Sequence, residues 1–182
     1  VDGGERCFSV EEIDEGSRLA HVRHFAAGDL IAAVEHLEQR WRALDASPAI
    51  AAMNAWERPT RNFDLDAVDA ASADDLVLID HRPLGLGEQN RTEAIENGTD
   101  PELARLGVLT PVLLHAVSDR VVVARSAMFK VTDDGDLLEG LPNTTVFAHR
   151  GGLATHIEMF AENDLDGALA RAAELDPIGF AA

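Results

Sequence analysis

Apolar and polar positions change their spacing along this chain. Apolar residues recur at helical spacing over 30–44 and again over 47–57. From residue 107 onward they form long runs separated by short polar turns. The pattern predicts helices first and a strand meander afterwards. This order is typical of an α+β fold with helices on one face of a strongly curved, mostly antiparallel sheet.

Capping and turn residues set the limits of these elements. Asp29, Ser47-Pro48 and Asp164 are helix starts, because Asp and Ser cap helices and proline fits the first turn. Pro59 is expected to end or kink the second helix. Shorter helices are predicted at 64–71 and 101–106. Strands are predicted at 7–13, 19–25, 76–81, 108–117, 121–131, 137–149 and 153–160, with hairpin turns between the last four.

A segment near the start of the chain recurs near its end without a gap. The matched pairs, 135 positions apart, are Gly16 with Gly151, His21 with His156, Phe25 with Phe160, Ala26 with Ala161, Asp29 with Asp164, Leu30 with Leu165 and Ala33 with Ala168. This offset is a domain length, not the period of a solenoid. We therefore expect 1–45 to be the β-hairpin and helix that end an upstream copy, and 46–182 to be one complete domain. Chance similarity of two strand–helix units is the alternative.

Composition excludes several classes of function. The chain has 33 acidic residues against 15 Lys and Arg, and its formal net charge is −18. Such a surface repels the phosphate backbone of nucleic acids. No apolar run reaches the length of a membrane span, no export signal opens the chain, and a single cysteine forms no internal disulfide. We expect a cytoplasmic protein that binds neither nucleic acid nor membranes and has no cofactor.

Two passages resemble the NTF2-like superfamily, which includes SnoaL-like and ketosteroid-isomerase-like proteins. One is Ala73–Asp80, an Ala-Asp-Asp sequence that leads into a strand ending in Asp. The other is Gly152–Phe160 followed by Asn163–Leu169, which is similar to an actinobacterial subgroup found at the C-terminal end of multidomain proteins. The resemblance covers 46–177. It implies a cone-shaped fold, a homodimer joined by the outer face of the sheet, upstream domains in the same protein and a pocket for a small apolar ligand.

Asp80 is the first candidate catalytic residue. The resemblance places it where isomerases of this fold hold a proton-shuttling Asp, and its apolar neighbours could raise its pKa toward that of a base. His81 and His156 could act with it as acid or base near neutral pH. A structural, hydrogen-bonded role at a strand end is the alternative for Asp80. Because the chain has no tyrosine, it cannot build the Tyr-containing oxyanion hole of ketosteroid isomerase.

Seven further residues are candidates for lining a pocket between the helices and the sheet. They are Met53, Trp56, His115, Arg125, Phe129, Phe147 and Glu158. Core packing is the alternative for the apolar members, and ion pairing or solvent exposure for the charged ones. No His-x-His or His-Glu-x-x-His spacing occurs, so the sequence does not support a metal site.

These observations favour a non-catalytic module for ligand binding or dimerisation at the C-terminal end of a larger, regulatory protein. The alternative is a small isomerase, cyclase or dehydratase of the SnoaL type that uses Asp80 with a histidine. A third hypothesis, an acidic scaffold that recognises a basic protein, depends only on net charge. An enclosed cavity with Asp80 and a histidine at its wall would favour the enzyme. An interior filled by Met53, Trp56 and Phe side chains would favour the association module.

Overall fold

The computed structural model describes residues 7–13, 19–26, 28–44, 47–83, 85–98, 100, 107–132, 134 and 137–180. The elements in these residues are, in chain order, β1 (Cys7–Ile13), β2 (Leu19–Ala26), α1 (Leu30–Leu44), α2 (Pro48–Arg61), α3 (Leu65–Ala70), β3 (Ser72–Asp80), β4 (Gly87–Asn90), α4 (Arg91–Gly98), β5 (Val108–Val117), β6 (Val121–Val131), β7 (Leu137–Arg150), β8 (Leu153–Ala161) and α5 (Leu165–Leu175). The predicted α+β class is confirmed. Among these elements, no helix is long and apolar enough to cross a membrane.

The main sheet has six strands in the order β4-β3-β8-β7-β6-β5. Its neighbours are antiparallel except for β3 and β8, which run parallel. Register shifts interrupt four of the five pairings, and such irregularities bend a sheet. β1 and β2 form a separate antiparallel hairpin. The mostly antiparallel sheet and its helical cover have the cone architecture that the resemblance implies.

Both faces of the main sheet are covered, each by a different helix. We call the face under α2 the inner face and the face under α5 the outer face. The inner-face core is formed around the buried residues Ile50, Met53, Trp56, Leu76, Leu78, Val122, Phe147 and Ile157. The outer-face core is formed by Val121, Val123, Val146, Ala148, Phe160, Ala168 and Ala172. Because neighbouring strand residues point to opposite faces, each central strand contributes to both cores.

Two local predictions need correction. Of the two effects predicted for Pro59, an end or a kink of the helix, the end is wrong: α2 continues to Arg61, because proline removes one helical donor without preventing the next turn from closing. β4 and α4 were not predicted, although Asn90 and Glu93 carry a capping signal. The Glu93 carboxylate accepts from the Asn90 N–H at 3.0 Å, and the Asn90 side chain accepts from the Glu93 N–H at 3.2 Å. The helix predicted at 101–106 lies outside the described residues.

The hairpin unit and the end of the main domain share element boundaries. β2 ends at Ala26 and β8 at Ala161, while α1 begins at Leu30 and α5 at Leu165. Both pairs differ by the 135 positions of the sequence repeat. The end of the strand and the start of the helix therefore have the same spacing in both units, and the origin of 1–45 in an upstream copy stays a prediction.

The repeat extends to the contacts between helix and strand. In the first unit, His36 of α1 lies 3.4 Å from Arg23 of β2. The residues 135 positions later are Arg171 of α5 and Glu158 of β8, which are joined at 2.8 Å. The equivalent positions thus join helix to strand in both units, although the residues differ: an Arg and a His in the first, a Glu and an Arg in the second.

Candidate functional site

Asp80 closes a turn at the end of β3. Its side chain is 1% exposed, and it lies beside Met159 on the neighbouring strand. The Arg82 guanidinium donates to both carboxylate oxygens, each at 2.8 Å. The backbone N–H groups of Arg82 and Leu86 donate to the same carboxylate at 3.1 Å and 3.2 Å. Both oxygens are therefore occupied by donors from the chain itself.

These bonds decide the charge of Asp80. Burial by itself would raise the pKa of this carboxyl, but the bonds from the Arg82 side chain and from the Arg82 and Leu86 N–H groups outweigh it and lower the pKa. Asp80 is thus held as a carboxylate. A general base near neutral pH needs the opposite shift and a free lone pair.

Gly85 is the residue that this turn requires. A Cβ built at Gly85 would lie 2.3–2.6 Å from the Asp80 carboxyl group, which is closer than non-bonded atoms can approach. Arg82 and Gly85 therefore close tightly over the Asp80 carboxylate, and the Gly85 N–H donates to the Arg82 carbonyl at 2.9 Å.

His81, the next residue, takes part in a different cluster. Its Nε2 lies 2.9 Å from Glu158, which is 1% exposed. Arg171 of α5 donates to the other oxygen of Glu158 at 2.8 Å, and Glu158 in turn raises the pKa of Arg171. The His81 ring also stacks on Phe160 at 4.4 Å. We call His81, Glu158 and Arg171 the outer-face cluster, because Phe160 and α5 belong to that face.

The three candidate catalytic residues do not form one constellation. Asp80 lies two and four residues after Leu78 and Leu76 of the inner-face core, and residues two apart on a strand share a face, so Asp80 belongs to the inner face. His81 belongs to the outer-face cluster instead. His156 is half-buried on β8, and burial is the main cause that lowers its pKa. Acid–base chemistry that joins Asp80 to either histidine has no geometric basis in this arrangement.

The apolar candidates for a pocket are packed together. Met53, Trp56 and Phe147 are 1%, 6% and 2% exposed and belong to the same inner-face core. The Trp56 indole N–H donates to the Ser72 hydroxyl at 3.2 Å, so the ring is fixed in position as well as buried. These side chains occupy the space between α2 and the sheet.

The remaining pocket candidates lie elsewhere on the sheet. Arg125 donates to Glu162 at 2.6 Å and also pairs with Glu139. Glu162 and then Glu139 raise the pKa of this guanidinium. His115 is exposed on β5, and Phe129 is half-buried on β6. Arg125 alternates with Ala124 of the inner-face core, so it lies on the outer face.

Sequence reasoning missed a buried ionic cluster between α1 and α2. Glu38 is 1% exposed, and it accepts from Arg58 at 2.8 Å and from Arg61. Arg61 is itself 5% exposed and lies 3.6 Å from Glu57. Burial raises the pKa of Glu57 to about 8. The helical spacing of α1 places Glu38 on the buried side of the helix, but it does not reveal the partners of Glu38 on α2.

No family model matches this chain. No curated protein matches it either. Similar solved structures include a Mycobacterium tuberculosis protein in complex with estradiol-17β-hemisuccinate, which is 21% identical; the match covers 65% of this chain and 96% of that one, with a TM-score of 0.48. A Δ5-3-ketosteroid isomerase from Mycobacterium sp. is 16% identical, with coverages of 66% and 95% and a TM-score of 0.45.

A third similar structure comes from Catenulispora acidiphila and is described as having a ketosteroid isomerase-like fold. It is 17% identical and has a TM-score of 0.45, and the match covers 67% of this chain and 92% of that one. Two of these three structures are thus a ketosteroid isomerase and a protein with a ketosteroid isomerase-like fold.

Proposed function

We propose that this chain is a non-catalytic association module with a cone fold. The observation that carries the proposal is the filled inner face. Ile50, Met53 and Phe147 are at most 2% exposed and pack in one core. Side chains of this size stabilise a fold by about 1.5–3 kcal/mol each when they are fully buried. An interior used in this way stabilises the domain instead of enclosing a small apolar ligand.

The state of Asp80 supports the same proposal. A proton-transfer residue must be able to exchange its proton with a substrate. Asp80 has a lowered pKa and is bound by Arg82 and Leu86, so it serves the turn. The SnoaL-type enzyme remains the second candidate function, and Asp80→Asn distinguishes the two.

The part of the outer face that α5 leaves open is the surface we propose for homodimerisation. Leu113 lies opposite Arg125 in the β5–β6 register and is 51% exposed. Glu139 and Glu162 flank Arg125 on the same face. We call these four residues the outer patch. An apolar side chain beside ion-paired side chains of both signs can pair with its own copy across a two-fold axis.

We further propose that the hairpin and α1 are the end of an upstream copy in a larger, regulatory protein. Support comes from the 135-position repeat and from the equal boundaries of β2–α1 and β8–α5. In the complete copy, β8 pairs with β3 on one side and β7 pairs with β6 on the other. The two strands of the hairpin would then pair in the same way with strands of the upstream copy.

A xenon titration followed by NMR tests the filled inner face. Wild-type protein should show no saturable shifts of core methyl groups, because Met53 is 1% exposed and packs against the other side chains of the inner-face core. Met53→Ala should bind xenon, since apolar cavities stay dry and accept such atoms, at a stability cost of about 2–5 kcal/mol. Ala51→Gly, on the exposed side of the same helix, is the control without a new cavity. Saturable core shifts in the wild type would contradict a filled interior and favour the ligand-binding enzyme.

A further inference from the structure

A surface groove on the side of α2 away from the sheet contains polar groups that the fold does not use. The groove measures about 470 Å³ and is lined mainly by α2, with Arg42 of α1 and the start of α3 at its sides. It is separate from the inner-face core, since Met53, Trp56 and Phe147 do not line it. Asn54, Arg58 and Asn62 provide its polar wall.

Asn54 is the unusual residue of this groove. It is 5% exposed, and neither its amide nitrogen nor its amide oxygen has a hydrogen-bond partner among the described residues. A buried polar group left without a partner costs about 1–3 kcal/mol. Buried groups of this kind therefore call for an explanation, and a ligand that pairs with the amide provides one.

Pro59 leaves a second polar group without its helical partner in the same wall. Proline has no N–H, so the carbonyl of Ala55, four residues earlier in α2, loses its donor. Ala55 and Pro59 both line the groove. The α2 wall thus offers an amide N–H donor from Asn54 and two acceptors, the Asn54 and Ala55 oxygens.

Two guanidinium groups add positive charge. Arg42 is exposed, and within the described part of the chain it donates to the Glu38 backbone carbonyl at 3.4 Å. Arg58 is 45% exposed and uses one N–H for the Glu38 carboxylate. Because a guanidinium carries five N–H donors, both retain donors for a ligand. Asp64, the acidic residue of the lining, accepts from the Ala67 N–H at the start of α3.

The complement of this set is a molecule with an amide next to a carboxylate. We propose that the groove binds an N-acylated amino acid, either free or as the C-terminal residue of a peptide. The ligand's C=O accepts from Asn54, its N–H donates to the Asn54 or Ala55 oxygen, and its carboxylate accepts from Arg42 and Arg58. This site is independent of the proposed association through the outer patch.

NMR titration of the full chain with N-acetyl-L-alanine and with N-acetyl-Gly-Gly-Ala tests the proposal. We expect saturable shifts of α2 amide signals at millimolar concentration, and binding weaker by about tenfold or more for the C-terminally amidated forms, because they lack the charge-assisted bonds. If the peptide binds more tightly than N-acetyl-L-alanine, the ligand is identified as a chain terminus. If the two bind equally, the ligand is identified as the free N-acyl amino acid.

Two variants link the binding to the groove. Asn54→Leu should weaken it by about tenfold or more, while leaving thermal stability equal or higher, since an unpartnered buried amide is removed. Arg42→Gln, at an exposed position, should weaken binding of the acids but not of the amidated forms, and Arg120→Gln in the β5–β6 turn is its matched control. The proposal is overturned if neither acid gives saturable shifts of α2. It is also overturned if Arg42→Gln and Asn54→Leu bind like the wild type.

Discussion

Asp80 illustrates how a residue with catalytic precedent can serve the fold. The resemblance makes it the leading candidate for a base, with a structural role at a strand end as the alternative. Its partners decide its role, and they come from a turn two to six residues later. The sequence shows Arg82 and Gly85, but it does not show that both close upon the same side chain.

We expect Asp80→Asn to destabilise the domain by about 1–3 kcal/mol, because the amide cannot accept from all the donors of Arg82 and Leu86. Dimerisation should stay unchanged. Urea denaturation and sedimentation velocity measure both quantities, and Asp74→Asn, at an exposed position of the same strand, is the control. Turnover of an enolisable substrate by the wild type, lost in a folded Asp80→Asn, would overturn the non-catalytic proposal.

Glu57 should make stability depend on pH. Its pKa is raised by burial from 4.5 to about 8 in the folded chain, so the folded state holds a proton that the unfolded state releases. Its contribution is therefore complete below pH 4.5 and is lost as the pH rises through about 8. The slope is at most about 1.4 kcal/mol per pH unit for one proton.

Glu57→Gln should remove this part of the slope, because the amide resembles the protonated acid and does not titrate. Denaturation midpoints measured between pH 5 and pH 9 provide the comparison, with Glu96→Gln at an exposed position of α4 as the control. Equal slopes in wild type and Glu57→Gln would show that Glu57 titrates normally.

At the scale of elements, one buried carboxylate links α1 to α2, beside the packing of Trp41 against the inner-face core. Glu38 is held by Arg58 and Arg61, and two of these three side chains are almost fully buried. This contact joins the hairpin unit to the main domain. The helical pattern predicted both helices, yet the pairing of Glu38 with residues 20 and 23 positions away depends on how the helices dock.

Glu38→Gln should cost about 3–5 kcal/mol, the range for breaking a buried ion pair by removing one partner. Hydrogen exchange of α1 amides should become faster than that of β6 amides. Glu35→Gln, exposed on the same helix, is the control. The double variant Glu38→Leu with Arg61→Leu should be more stable than Glu38→Gln, because it leaves no buried Arg61 without a partner. If it is equally unstable, an unpaired Arg61 is not the cause of the lost stability.

The order of elements in the whole molecule could be predicted, because helical spacing, caps and hairpin turns are local features of the sequence. The site could be predicted only in part. The sequence singles out Asp80, His81 and Glu158 as candidate site residues, but their division between two faces follows from strand pairing over 77 positions. That Met53 and Phe147 fill the inner face depends on how closely α2 approaches the sheet, which no local pattern records.

The central claim is that this domain associates with its own copy through the outer patch. Sedimentation equilibrium of the wild type, beside Leu113→Asp and Leu65→Asp, tests it most directly. Leu65 is 49% exposed on α3, far from the patch in sequence and similar to Leu113 in exposure, so it serves as the matched control. We predict twice the 19.6 kDa chain mass for the wild type and Leu65→Asp, and a monomer for Leu113→Asp. A wild type that stays monomeric at micromolar concentration, or a Leu113→Asp dimer as stable as the wild type, would contradict the account.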